Sequence, residues 1–466
     1  MKIEKGLFDN MVLQRNKANA SEAEICVRVR KPGLLKAAVT RKGKEVPGCR
    51  LLLRKSTEEQ LINACLTGIP TGGPYDIRLT LENTTGKSLE EKTVENVLVG
   101  DVWLLAGQSN MEGLGYLKDA LPPQDMARAF YMTDQWGTAK DPMHLLYKAV
   151  DGVHTAVLGA VKPSSHAGVG PGVSFAQEMH RLSGVPQGLI ACAHGGTSMS
   201  QWAPALKDQG SMSLYGAMVR RFEKNGGKAA GVVWYQGCSD ADENAAPLYT
   251  GRMVELVEAM RKDFGNSKLP VAAVQIARVC PFDDAFNPTY WNSVQEQQRK
   301  LPEVIKNLSV VPAIDLALDD LIHLSGLDQA RLGKRLALAM VSLASAQAEV
   351  KPQIRLKGIK TETDRYSGNA NIIITYGDVE GKLEASGRPT GFSLIDRASG
   401  INRPCIYRTD LSGNKVILKT GIVPQQAETL DLHYGYGIDP YCNITDSKDR
   451  SLPVMGPISL NSSVKA

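Results

Sequence analysis

The sequence predicts an α/β protein: a three-layer domain built on a parallel sheet, with β-sandwich-like regions before and after it. Three observations predict it. Between residues 97 and 348, short apolar runs alternate with stretches of helical periodicity, the pattern of strands buried on both faces and covered by helices. On either side, residues 1–96 and 349–466 carry short runs of alternating polarity separated by Gly, Pro, Asn and Asp. The 466 residues also exceed the usual length of one domain and suit two or three.

In the first region, residues 24–30 and 75–81 alternate apolar and polar side chains, and turn clusters at 31–33 and 70–74 bound them. Strands at this spacing read as a small sandwich. In the middle region, strands are expected at 102–106, 188–192, 231–235, 271–275 and 308–314, with helices at 174–182, 214–224, 248–264 and 327–345. In the last region, 371–376 and 415–419 read as strands of a β-domain. The expected domains are therefore 1–96, 97–348 and 349–466.

Composition excludes several classes of function. The net charge is +5, from 54 Lys and Arg against 49 Asp and Glu, without a basic run, so no nucleic-acid partner is expected. No segment reaches the ~18 apolar residues of a membrane span. The first ten residues lack an apolar signal core, which leaves a cytoplasmic chain or a processed periplasmic or secreted form as the expectation. None of the eight cysteines stands in a CxxC pair, so they read as free thiols rather than zinc ligands.

In open α/β sheets, function gathers where strands end. Three strand ends carry reactive side chains. Gly107-Gln-Ser109-Asn-Met111 follows the strand at 102–106. The glycine permits a sharp turn, and a serine there presents its hydroxyl beside main-chain N–H groups able to hold an anion. Alone, such a serine more often forms a turn or caps a helix. Trp234-Tyr-Gln236-Gly-Cys238 ends the strand at 231–235, and the Gln236 amide is able to donate to an oxyanion or simply to local backbone. Asp319-Asp320-Leu-Ile-His323 follows the strand at 308–314. At i and i+3, Asp320 is able to orient His323 as in a Ser–His–Asp triad, with Asp319 a rival acid.

These residues also carry a resemblance. Leu7-Phe-Asp-Asn-Met-Val-Leu-Gln-Arg15, Gly72-Gly-Pro-Tyr75, Gly107-Gln-Ser-Asn-Met111, His194-Gly-Gly-Thr197 with Trp202, Val233-Trp-Tyr-Gln-Gly237 and Asp320-Leu-Ile-His323 resemble the sialate O-acetylesterase family, a branch of the SGNH (GDSL-like) esterases. So do the regions of Gly391-Phe-Ser-Leu-Ile-Asp396 and Leu432-His-Tyr-Gly435. The resemblance implies an SGNH-hydrolase-like catalytic domain with β-rich accessory regions, and removal of O-acetyl groups from a carbohydrate. It gives Ser109 the nucleophile's role, Asp320 and His323 the acid–base pair, and Gln236 an oxyanion-hole donor. A glycine before the second core helix supplies another such N–H; Gly172 is favoured and Gly170 also fits. The family's Glu after Gln-Gly is Cys238 here, and its Pro after the histidine is Leu324.

The expected mechanism is an acyl-enzyme route, with His323 taking the Ser109 proton as the hydroxyl attacks an acetyl carbonyl. It uses no cofactor and no metal. Its partner is an acetylated carbohydrate, most directly O-acetylated sialic acid, with acetylxylan or another polysaccharide as alternatives. Cys238 also admits a catalytically impaired glycan-binding homologue. His194 is expected either to line the substrate cleft or to serve structure. Trp202 and Trp291 either stack on a sugar ring or pack in the core.

Overall fold

The computed structural model describes residues 1–54, 60–159, 162, 165–280, 286–344 and 350–460. These form two compact units, one of residues 1–234, 255–270 and 329–337, the other of 235–254, 271–328 and 338–466. The expected boundary at 348/349 lies outside the described residues.

The first unit opens with antiparallel β-structure. Lys2–Lys5, Ala20–Arg28, Leu61–Pro70 and Arg50–Arg54 form one sheet in that order. Leu34–Arg41 pairs with Gly72–Glu82, which in turn pairs antiparallel with Ser88–Gly107. In Gly72–Glu82 the buried Tyr75, Ile77, Leu79 and Leu81 alternate with exposed neighbours, as a strand with one wet face requires.

Ser88–Gly107 is a single strand of 20 residues. Its first half is largely in contact with solvent, and from Val97 onward every residue is buried. The cause is a change of partners: the second half joins a parallel ladder covered on both faces. Gln187–Ala191 pairs parallel with it, and Ala127–Phe130 pairs parallel with Gln187–Ala191. Trp136–Thr138 closes that edge antiparallel, and Gly231–Tyr235 lies on the other side of the long strand. The expected boundary at 96/97 thus falls inside one continuous strand.

Helix Gly172–Ser183 buries Val173, Phe175, Ala176 and Met179. The Phe175 ring meets Trp103 of the long strand edge to face, with centroids 5.4 Å apart. Helix Leu214–Lys224 starts at Ser213, whose hydroxyl accepts from the Gly216 N–H at 3.1 Å. This helix carries the unit's polar core. The buried Arg221 donates to the carbonyls of Phe130, Tyr131 and Ala191 and to Asp134, tying two strand ends together.

In the second unit, the fully buried strands Val271–Gln275 and Leu308–Pro312 pair parallel. The 17-residue helix Pro288–Val304 has no counterpart among the helices expected from the sequence. Its buried face includes Gln295 and Gln298 beside Trp291, Val294 and Leu301, so the apolar stripe is too thin to read. Both amides are satisfied by the strand end: Gln295 donates to the Ile276 carbonyl at 3.0 Å, and Gln298 accepts from the Ile276 N–H at 2.9 Å.

The C-terminal β-structure comprises an antiparallel sheet of Arg355–Thr363, Ala370–Gly377, Lys415–Thr420 and Ile406–Ser412, and another of Phe392–Asp396, Leu430–Tyr434 and Met455–Ser459. Their core holds Ile372, Ile374, Tyr376, Leu394, Val416, Leu418, Leu432 and Tyr434. Each fully buried aliphatic side chain there contributes ~1.5–3 kcal/mol relative to exposure. The architecture is a mixed α/β fold with a central sheet and additional β-regions. Among the described residues no helix is long and apolar enough to cross a membrane.

Candidate active site

The long strand ends at Gly107, whose φ of 130° turns the chain in a conformation that side chains oppose. One helical turn, Ser109–Glu112, follows, with the Met111 and Glu112 N–H groups bonded to the Gln108 carbonyl at 2.8 and 2.9 Å. Ser109 is therefore the first residue of a helical turn and only 7% exposed. Gln329 fastens the next residue, donating to the Asn110 carbonyl at 3.0 Å and to its side-chain oxygen at 3.2 Å.

The strand Gln187–Ala191 delivers a second loop to this turn. A Cβ on Gly195 would stand 2.9 Å from Glu112 Oε2 and 3.3 Å from Ser109 Cβ, so a side chain there would crowd both residues. The Gly195 N–H donates to Glu112 Oε2 at 2.6 Å. Burial, partly offset by that bond, pushes the Glu112 carboxyl up to about 7.

His194, expected to line the substrate cleft or to serve structure, and Trp202, expected to stack on a sugar or to pack in the core, are both buried. The His194 side chain is only 5% exposed and its ring stacks on His154, with Nδ1 atoms 2.9 Å apart. One nitrogen must donate and the other accept, so the pair requires opposite tautomers. Burial holds His194 down at about 4 and, with His194 beside it, His154 at about 2. Trp202 is 0% exposed. It meets Trp234 edge to face at 5.2 Å and donates to the Thr197 hydroxyl at 3.0 Å. Of the two expectations for Trp202, sugar stacking and core packing, its burial favours packing. Trp291 is 1% exposed, donates to the Ala277 carbonyl at 3.0 Å, and is core as well.

Of the two glycines considered for the oxyanion hole, Gly172 opens helix Gly172–Ser183, packed so that a Cβ would meet Leu105 at 2.6 Å. Gly170 lies against Met111 and Gly113, and its N–H points at Asp141 Oδ1 at 3.5 Å. Burial raises Asp141 to about 7, against the lowering effect of that N–H.

In the second unit, Gln236 is fully buried and its Nε2 donates to Asp240 Oδ2 at 2.5 Å. A primary amide carries two N–H bonds, and Asp240 occupies one of them. The Gln236 main-chain carbonyl accepts from Tyr249 Oη and from Gln298 Nε2, both at 2.9 Å. Gly237, with φ of 149°, passes so close to Gln298 that a Cβ would stand 2.7 Å from its amide. Asp240 also pairs with Arg252 at 3.3 Å. Burial pushes the Cys238 thiol up to about 12.

Asp320 and His323 lie in the loop between strand Leu308–Pro312 and helix Gly326–Ala344, closed by a bridge between Leu318 and Leu324. Asp320 Oδ2 meets His323 Nδ1 at 2.6 Å. Its Oδ1 accepts the N–H groups of Ile322 at 2.8 Å and His323 at 2.7 Å. Burial raises the carboxyl, but these bonds outweigh it and its pKa lies below the ordinary 3.8. The rival Asp319 instead accepts the Gly326 N–H at 2.9 Å and caps the following helix. Glu112, His154 and Asp240 escaped sequence reasoning, because their partners are distant in the chain or carry no motif.

Residues 99–342 match the family described as "Carbohydrate esterase, sialic acid-specific acetylesterase". The chain belongs to this family. Its activity class is that of a carboxylic ester hydrolase. It is 33% identical over 264 residues to a probable carbohydrate esterase of Arabidopsis thaliana, covering 52% of this chain and 90% of that protein. It is 26% identical over 324 residues to the human sialate O-acetylesterase, covering 62% of this chain and 60% of the human protein. A solved carbohydrate acetylesterase from Xanthomonas citri shares the fold, with TM-score 0.71, 21% identity and coverage of 97% and 98%. Among the described residues no group of three or more His, Cys, Asp or Glu side chains is arranged to hold a metal ion.

Proposed function

We propose that this esterase removes O-acetyl groups from a carbohydrate, O-acetylated sialic acid first among them, by a Ser–His–Asp acyl-enzyme mechanism on an SGNH-hydrolase-like domain. The observation that carries the proposal is the Asp320–His323 pair. A carboxylate at 2.6 Å fixes a proton on Nδ1 and leaves Nε2 as the base.

Ser109 is the nucleophile and His323 takes its proton as the acetyl carbonyl is attacked. The N–H groups of Ser109 and Gly172 and the amide of Gln236 hold the tetrahedral oxyanion, each donor supplying ~3 kcal/mol. His323 then protonates the sugar alkoxide, water attacks the acetyl-enzyme, and acetate leaves. The family membership supports an acetylated carbohydrate as substrate, and the human relative's name supports sialic acid. The Arabidopsis relative, named only as a carbohydrate esterase, keeps an acetylated polysaccharide such as acetylxylan as a second reading.

The test is acetate release from 4-nitrophenyl acetate, O-acetylated sialic acid and acetylxylan by wild type and Ser109→Ala. Wild-type turnover with a loss of ~10³-fold or more in the variant supports the mechanism, and the ratio of the two natural substrates decides the sugar. Equal inertness of both proteins rejects it.

A further inference from the structure

We propose that Glu112 is a specificity-determining residue that accepts a hydroxyl of the sugar whose acetyl group is presented to Ser109. The inference rests on Ser109 being the nucleophile and adds the side chain that reads the alcohol half of the ester.

Glu112 stands three residues after Ser109 in one helical turn, so both side chains leave the same side of it. Its carboxyl and its main chain are each held by one contact. The Gly195 N–H binds Oε2 at 2.6 Å, and the His144 ring meets the Glu112 main-chain carbonyl at 2.9 Å. The absence of a side chain at Gly195, where a Cβ would meet both Glu112 Oε2 and Ser109 Cβ, leaves room for this arrangement. Gly195 takes one oxygen and the residue is only part-buried; the proposal gives the other oxygen, Oε1, to the substrate hydroxyl.

No Lys or Arg among the described residues is paired with this carboxyl. A part-buried acidic group without a cation loses hydration and gives the packing nothing that an amide would not give. Beside a nucleophile it supplies what a sugar needs, a fixed acceptor for a hydroxyl next to the scissile ester. An aryl acetate has no such hydroxyl.

The titratable groups around Glu112 are His144 on its carbonyl, His194 next to Gly195, and Asp141, which faces Gly170 where Gly170 packs on Gly113. Burial holds His144 at about 3 and His194 at about 4, so neither changes charge near neutrality. Glu112 and Asp141, both raised to about 7 by burial, do.

The test compares kcat/KM for a mono-O-acetylated methyl glycoside and for 4-nitrophenyl acetate in the full chain. Glu112→Ala is expected to lose at least ~10-fold more on the glycoside than on the aryl ester, the cost of an unmet hydrogen bond to a charged or polar partner, chiefly through KM. Glu112→Gln retains an oxygen for the Gly195 N–H and so preserves the loop. In wild type and Asp141→Asn the glycoside-to-aryl ratio is expected to change through about pH 7, and in Glu112→Gln to stay flat. Equal losses on both esters in Glu112→Ala, or a wild-type ratio independent of pH, would overturn the proposal. Activity surviving in Ser109→Ala would instead overturn the nucleophile assignment on which it rests.

Discussion

The Asp320 carboxylate both shapes the loop that carries His323 and grips the imidazole, using one oxygen for two main-chain N–H groups and the other for Nδ1 at 2.6 Å. Shape and chemistry are thus separable by substitution. In Asp320→Asn the amide oxygen still takes the N–H groups of Ile322 and His323, and the loop holds. The amide N–H then faces Nδ1 and forces the proton onto Nε2, which removes the base. We expect kcat to fall ~10²–10⁴-fold with the melting temperature nearly unchanged. Turnover of 4-nitrophenyl acetate and thermal unfolding of the same sample check both halves. Since Asp320 stays ionised below its ordinary 3.8, an acid limb of activity at higher pH reports another group.

Burial pushes the Cys238 thiol up to about 12. The thiolate, the reactive form, is a vanishing fraction at pH 7. Iodoacetamide at pH 7 is therefore expected to leave Cys238 unmodified in the folded chain, read by peptide mass spectrometry, and to label it after unfolding in urea. Rapid labelling of the native protein rejects an inert thiol.

Much of this was legible in the sequence because strand ends and short spacings are local. The parallel strands announce themselves as apolar runs; Ser109 and Gln236 stand just past two of them, and the Asp320–His323 pair lies in the loop after a third. Asp320 was not separable from Asp319 by spacing, since the choice depends on which carboxylate caps helix Gly326–Ala344. Helix Pro288–Val304 was hidden by buried glutamines, whose hydrogen bonds to Ile276 exist only in the fold. His194 and Trp202 sit in a polar, glycine-rich loop that reads as surface, yet their rings turn inward. Glu112 was invisible because its partner Gly195 lies 83 residues away.

The burial of Trp202 predicts a stability effect ahead of a binding effect. Trp202→Ala removes a ring that packs on Trp234 and donates to Thr197, and large-to-small changes of this kind cost ~3–5 kcal/mol. Trp202→Phe retains much of the volume and loses the hydrogen bond, so a smaller loss is expected, with KM close to wild type. Urea unfolding and Michaelis kinetics on the two variants check this. A raised KM at full stability would return Trp202 to the substrate cleft.

Glu112 and Asp141 predict how stability depends on pH. Each carboxyl has its folded pKa raised by burial, from 4.5 to about 7 for Glu112 and from 3.8 to about 7 for Asp141. The folded chain therefore holds these protons more tightly than the unfolded one. The sign follows: their contribution is most favourable at low pH, declines as pH rises through the unfolded values, and reaches its minimum above about 7. For Glu112 the span corresponds to ~3 kcal/mol. Glu112→Gln carries no proton to lose, so it should gain stability relative to wild type between pH 5 and 8, and Asp141→Asn should do the same independently. Denaturant midpoints across that range measure it. A constant difference from pH 5 to 8 would show that the carboxyl is not held protonated by burial.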